Sequence, residues 1–241
     1  MKHNTLTILP AFLLSAALSG CSISTPYTNL KTWPMAHQAM YYRDPAPLHL
    51  GVLPLLERRP ANERNGQRPR GIFLLLWNRR VGDYYTGDYI FGGDVPTQLT
   101  AQLIEYLRAA NVFASVVPLS ASHDVAAPSP SMDYLLGGEL QHFFGSQSQH
   151  TSIFLLPLYF INTFGWQNSK TLPWGKTSIL FTLYDGHGGT VWRREVEHSL
   201  TLPKETDAMS EAALESFVGA VGQLAVDLRE LSLEAQRTSS R

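Results

Sequence analysis

The side chains able to do chemistry are few and scattered. The eight histidines are His3, His37, His49, His123, His142, His150, His187 and His198. No two stand four apart, as a His-Glu-x-x-His zinc site on a helix requires. His142 and His198 fall in predicted strands and could meet across a sheet, which is still short of a metal site. No Gly-x-Ser-x-Gly elbow supports a serine nucleophile. The stretch Gly87 to Gly93, Gly-Asp-Tyr-Ile-Phe-Gly-Gly, lacks the Gly-Lys-Ser/Thr of a phosphate loop and reads as turn glycines before a capped helix. Asp133 and Asp185 suit a strand edge and a turn. Glu139, Glu195 and Glu197 fall on predicted strand faces, either solvated or paired with Arg193 and Arg194. A hydrolase would need distant His, Asp and Ser side chains to converge in space.

Cys21 is the one residue whose surroundings specify a reaction. It is the only cysteine, so a disulfide framework and every cysteine-rich metal site are excluded. Lys2 precedes a 13-residue apolar stretch from Leu6 to Leu18, too short to span a bilayer and suited to a signal segment. It ends in Leu18-Ser19-Gly20-Cys21, which resembles a bacterial lipobox. The resemblance implies diacylglycerol on the Cys21 sulfur, removal of residues 1–20, and acylation of the new amino terminus. Two lipid signals already suffice for stable anchoring. Ser22 stands where enterobacterial inner-membrane lipoproteins carry Asp, so the resemblance implies the outer membrane, with the domain facing the periplasm. No cofactor is implied beyond the covalent lipid.

The chain has 241 residues, 44% of them hydrophobic, with 19 Lys and Arg against 20 Asp and Glu. Without residues 1–20 the net charge is −2. That content can fill a core, and the charge balance argues against a nucleic-acid binder. Elsewhere no run approaches the roughly 20 apolar residues of a spanning helix.

Residues 21–47 read as a lipidated cysteine and tether, with Pro26, Pro34, Pro45 and Pro47 breaking any period. Trp33, Tyr41 and Tyr42 suggest that it lies on the domain. A single α+β domain follows over 48–235, with insertions at 60–92 and 145–176 and a flexible tail at 236–241. Leu48 to Leu55 predicts a strand, and Leu56 to Gly93 is a long irregular stretch, either functional or hiding extra strands. Asp94 to Ala110 predicts a helix, with Asp94 as cap, Pro96 in its first turn and Asn111 as left-handed terminator. Val112 to Leu119, Tyr134 to Phe144, Thr177 to Tyr184 and Val191 to Leu200 predict strands. The last two flank Asp185-Gly186-His187-Gly188-Gly189, a hairpin signal. Phe217, Val221, Leu224, Leu228 and Leu231 form the stripe of a helix over about Ser210 to Ala235. The expected fold is a two-layer α+β sandwich: a mixed or antiparallel sheet of four to six strands with two helices on one face.

Three stretches carry a second resemblance. They are Leu50-Gly51-Val52-Leu53-Pro54 with Glu57 to Pro60 after it, Asp133 to Phe143, and Leu180 to Glu197 with its Val191-Trp192 pair. The pattern is similar to a group of bacterial envelope lipoproteins. It includes the curli secretion lipoprotein, activators of penicillin-binding proteins and auxiliary lipoproteins of ABC-type lipid transporters, whose domains resemble the amino-terminal domain of the Tol-Pal β-propeller protein. The resemblance implies a domain that binds, scaffolds or assembles, and supplies no catalytic residue. The two insertions depart from the pattern.

Both insertions offer contact residues. From Glu57 to Arg80, a stretch that runs into the first, there are seven arginines, among them Arg79 and Arg80, against two glutamates, and the insertion holds Ile72-Phe73-Leu74-Leu75-Leu76-Trp77. This suits an interfacial membrane element, with Phe73, Leu75 and Trp77 in the headgroup boundary. A buried strand with solvated arginines at its ends is the plainer reading. The second holds Phe154, Tyr159, Phe160 and Trp166 in an aromatic, apolar stretch. As a helix its nine-residue apolar run rises about 14 Å, far short of a bilayer core. As a barrel strand it lacks polar residues at every second position. A core cover, a partner-binding patch and shallow membrane insertion stay open. Taken together, these features predict a lipid-anchored, non-catalytic accessory of an envelope assembly or transport system. The membrane, an envelope protein or a second copy would be its partner. A lipid- or glycan-binding module acting through the insertions is the alternative.

Overall fold

A cap, a stripe and a terminator account for the first long helix. Asp94 accepts a hydrogen bond from the Thr97 amide, Pro96 sits in the first turn, and Asn111 closes the helix in the left-handed region at φ 57°. Leu99, Leu103, Leu107 and Ala110 are fully buried along its inner face. The carboxy-terminal helix carries the same kind of stripe, with Ala213, Phe217, Val221, Leu224 and Leu228 all at 0% exposure. Each large apolar side chain so buried contributes about 1.5–3 kcal/mol.

The computed structural model describes residue 30 and residues 35–66, 70–74, 77–122, 131–154, 166–203 and 209–239. Leu18, Ser19, Gly20, Cys21 and Ser22 lie outside them. The strands are β1 (Ala46–Val52), β2 (Leu56–Glu57), β3 (Arg70–Leu74), β4 (Trp77–Tyr85), β5 (Phe113–Pro118), β6 (Tyr134–Phe154), β7 (Trp166–Lys170), β8 (Trp174–Asp185) and β9 (Thr190–Thr201). The helices are α1 (Ala61–Asn65), α2 (Val95–Ala110) and α3 (Met209–Ser239).

The fold is α+β, as expected, with a mixed sheet. The sheet has nine strands among the described residues rather than four to six, and a short third helix accompanies the two long ones. The extra strands β3, β4 and β7 come from the two insertions, and β2 from the segment just before the first. The 21-residue β6 also runs ten residues past its expected end at Phe144.

In the first half of the sheet, β1 pairs in parallel with β5 and β6, and β6, β8 and β9 are antiparallel. The two long helices, α2 and α3, cover one face of this half. Leu136, Leu140, Phe143, Ile179, Phe181 and Val196 join Phe217, Val221 and Leu224 in one core, with the Phe143 and Phe217 rings 6.3 Å apart, edge to face. The β8–β9 turn is held by the Asp185 carboxylate, which accepts from the His187 and Gly189 amides at 2.9 and 2.7 Å. These two bonds hold the carboxyl below its ordinary range. In the described part of the tether, Leu30 and Met35 are fully buried and Gln102 donates to the Leu30 carbonyl at 2.9 Å; of the aromatic residues expected to hold it, Tyr42 packs on the core, Tyr41 is exposed and Trp33 lies outside the described residues.

In the second half, β6 exchanges partners. Beyond Ser146 it pairs with β4 on one side and β7 on the other, and β3 pairs with β4. The result is a four-stranded antiparallel blade in the order β3-β4-β6-β7.

Candidate functional site

The blade is fixed at its root from both faces. On the helix side, Gly145 of β6 pairs with Gly175 of β8. A Cβ at Gly145 would lie 1.7 Å from the Met209 carbonyl oxygen, and one at Gly175 would lie 1.9 Å from that of Ala212. The first turn of α3 therefore presses directly onto sheet backbone, which glycine alone permits. On the opposite face, Phe144 meets Tyr85 at 5.1 Å and Trp174 at 5.3 Å, both edge to face. The Thr86 amide donates to the Gly145 carbonyl, and the Gly145 amide donates to Thr86 Oγ1.

Two charged clusters tie the insertion to this root. Arg59, its side chain 1% exposed, donates to Glu57 and to Asp88. Burial alone would lower its guanidinium, but the Glu57 and Asp88 carboxylates hold it above its ordinary value. Burial likewise lifts the Asp88 carboxyl, and Arg59 pulls it part of the way back. Glu63 of α1, also buried, lies 2.7 Å from His142 Nδ1 and accepts from the Phe143 amide.

Sequence expectations about charge need several corrections here. His142 and His198 do not meet: His142 faces Glu63, while the His198 ring lies on Gly219 of α3, where a Cβ would approach it to 2.5 Å. Glu139 pairs with Arg58, Glu195 accepts from Ser178, and Glu197 pairs with Lys176. Arg194 instead meets Asp227 of α3 at 2.9 Å.

The blade brings together the residues singled out in the two insertions. Its register gives one rung after another. Among the described residues Leu74, Trp77 and Phe154 share the outermost rung, and Phe73, Asn78, Ile153 and Trp166 share the next. Six of these seven positions are apolar. Below them come Ile72, Arg79, Ser152 and Gln167, then Gly71, Arg80, Thr151 and Asn168. Arg70, Val81, His150 and Ser169 follow, then Gly82, Gln149 and Lys170. Phe73, Trp77, Phe154 and Trp166, which are far apart in sequence, therefore stand at one end of the blade, with Arg79 and Arg80 next to it. Leu75, Tyr159 and Phe160 lie outside the described residues.

Sequence reading missed two parts of this arrangement, Lys170 and the polar stem of β6, and counted Arg70 among the arginines without placing it. The stem reads Ser-Gln-Ser-Gln-His-Thr-Ser from Ser146 to Ser152, and strand signals sought in apolar alternation cannot see it. A repeat of partners of matched length, with the nine-residue β4 against the end of β6, is the signal that could have shown it.

No helix among the described residues is long and apolar enough to cross a membrane, and no group of three or more His, Cys, Asp or Glu among them could hold a metal ion.

No family model matches the sequence, and no curated protein matches it. Solved structures are similar at low identity. A Xanthomonas campestris protein of family-model DUF330 is 15% identical over 84% of this chain and 95% of its own, with a TM-score of 0.45. The PelC dodecamer from Paraburkholderia phytofirmans is 14% identical over 78% of this chain and 94% of its own, with a TM-score of 0.38. A lipoprotein from Neisseria meningitidis is 12% identical over 73% of this chain and 99% of its own, with a TM-score of 0.33.

Proposed function

We propose that this chain is a lipid-anchored lipoprotein of the outer membrane. In this reading its α+β domain faces the periplasm and serves as a non-catalytic accessory of an envelope assembly or transport system. One observation carries the reading: the sole cysteine closes a lipobox-like Leu18-Ser19-Gly20-Cys21 directly after a signal-type apolar stretch. The uses of the charged groups support it. Arg59, Glu57 and Asp88 bind one another, as do Glu63 with His142 and Arg194 with Asp227. These pairings hold elements together rather than poising a nucleophile.

The test is fractionation with metabolic fatty-acid labelling. The wild-type chain takes up label and sediments with outer membranes. Cys21→Ala loses the label and leaves the membrane fraction, and Ser22→Asp moves the protein toward the inner membrane in an enterobacterial host. Retention of Cys21→Ala in membranes would sink the anchor. Photo-crosslinking in cells from Tyr159 then separates the two roles: a discrete protein adduct supports the accessory, and lipid adducts alone support a lipid-binding module. The convergence of both apolar insertions at the blade's end favours giving this second reading its own experiment.

A further inference from the structure

We propose that the end of the blade is a membrane contact of its own. Its two apolar rungs would enter the interface of an anionic bilayer while the cations below them bind lipid phosphates. This deepens the lipid-binding alternative and does not depend on the lipid at Cys21.

The argument rests on the order of rungs. The two outermost hold Phe73, Leu74, Trp77, Ile153, Phe154 and Trp166. At about 3.4 Å per residue they amount to about 7 Å of depth. Each of the next four rungs carries one cation: Arg79, Arg80, Arg70 and then Lys170. The first carboxylate, Asp83, comes one rung later, opposite Ser148. An apolar zone, a cationic zone and then a polar stem that opens on Asp83 therefore succeed one another along a single axis. A bilayer presents the same order, with hydrocarbon first and then a headgroup layer roughly 5–8 Å thick on each side, which at about 3.4 Å per residue takes the first two or three of the cation rungs. Trp77 and Trp166 stand where interfacial aromatic residues are enriched.

The same register argues against a barrel wall. Residues at every second position of β6 form two sets: Phe154, Ser152, His150 and Ser148, and Ile153, Thr151, Gln149 and Gln147. Neither is apolar past its first member, whereas a wall in hydrocarbon needs one set apolar throughout. A docking site for a neutral protein partner would have no use for a cation on four successive rungs.

The test uses the mature lipidated chain in vesicles of phosphatidylethanolamine and phosphatidylglycerol. Cys21 carries the lipid, so an introduced thiol is the only free one. A fluorophore is placed at Asn78→Cys, in the second rung, and separately at Ser148→Cys, in the stem. Brominated lipid should quench the Asn78 site several-fold more than the Ser148 site. Arg79→Glu with Arg80→Glu should remove most of that difference, as should replacing phosphatidylglycerol with phosphatidylcholine. Flotation reports the anchor and quenching reports the blade, so the two can fail separately. Vesicle-bound protein with no quenching at Asn78 overturns the proposal. Equal quenching at both sites overturns it in favour of a spanning wall. Concentration-dependent protection of the Asn78 site without vesicles overturns it in favour of a second copy of the chain.

Discussion

Strand β6 passes through two environments, and the contrast separates what makes a strand from what makes it apolar. Between Tyr134 and Phe144 it runs beneath the helices, and Leu136, Leu140 and Phe143 enter the core. Past Ser146 its backbone pairing is taken up by β4, joined from Gln149 by β7, while its sequence turns to Ser, Gln, His and Thr. Gln147 is buried there but spends its amide on the Thr171 carbonyl at 2.8 Å. Ladder hydrogen bonds extend the strand in both halves. An apolar alternation is demanded only where a helix covers a face. The return of apolar residues at the far end of the described blade, after a polar stem, is not demanded by a covering helix, and the proposed membrane contact gives it a use.

The sharpest way to break the contrast is at the junction. Arg59→Ala leaves Glu57 and Asp88, each 27% exposed, without their shared cation. A loss of about 3 kcal/mol is expected, at the low end for a broken buried pair because both carboxylates keep some contact with water. Urea unfolding checks the size of the loss, and its pH dependence checks the cause. The Asp88 carboxyl is already held above its ordinary range by burial, and losing Arg59 lifts it further. A group raised in the folded state adds stability that is full in acid and lost as pH rises through its folded value. The deficit of Arg59→Ala should therefore be small in acid and grow through the carboxylate range. A deficit that does not change with pH would mean lost packing rather than lost charge.

The next effect is expected at the seam where α3 meets the sheet. Gly175→Ala places a methyl group against the Ala212 carbonyl and forces the start of α3 to move. Overpacking of this kind costs about 1–3 kcal/mol. Hydrogen exchange should quicken in the first turns of α3 and at the root of the blade before it does around Leu224. Exchange that quickens evenly over the domain would show that the two halves unfold together.

Legibility followed the same division. The covered half could be read from its sequence because burial writes periodicity. The stripe on α3, the cap and terminator of α2, and the Asp185 turn between β8 and β9 are where expected. The sheet's size could not be read, because β3, β4, β7 and the end of β6 carry arginines, glutamines and serines in no period. The clusters at the root were hidden for another reason. Glu63 and His142 are 79 residues apart, and nothing local marks either as the other's partner. The apolar runs of both insertions were visible as composition, but only the register of β4 on β6 brings them to one end.

The smallest expected effect is the most discriminating. If the outer rungs serve a surface beyond the protein, Phe154→Ser with Trp166→Ser should change unfolding stability by no more than about 0.5 kcal/mol, as at positions outside a core. Phe217→Ala, in the covered half and at 0% exposure, should cost about 3–5 kcal/mol through lost burial and the cavity it leaves. Thermal melts of the two variants beside the wild type give the comparison directly. A loss above about 2 kcal/mol from the double serine variant would make the blade's end a small core in its own right. The plainer reading of those apolar runs would then hold, and the membrane contact would have to be given up.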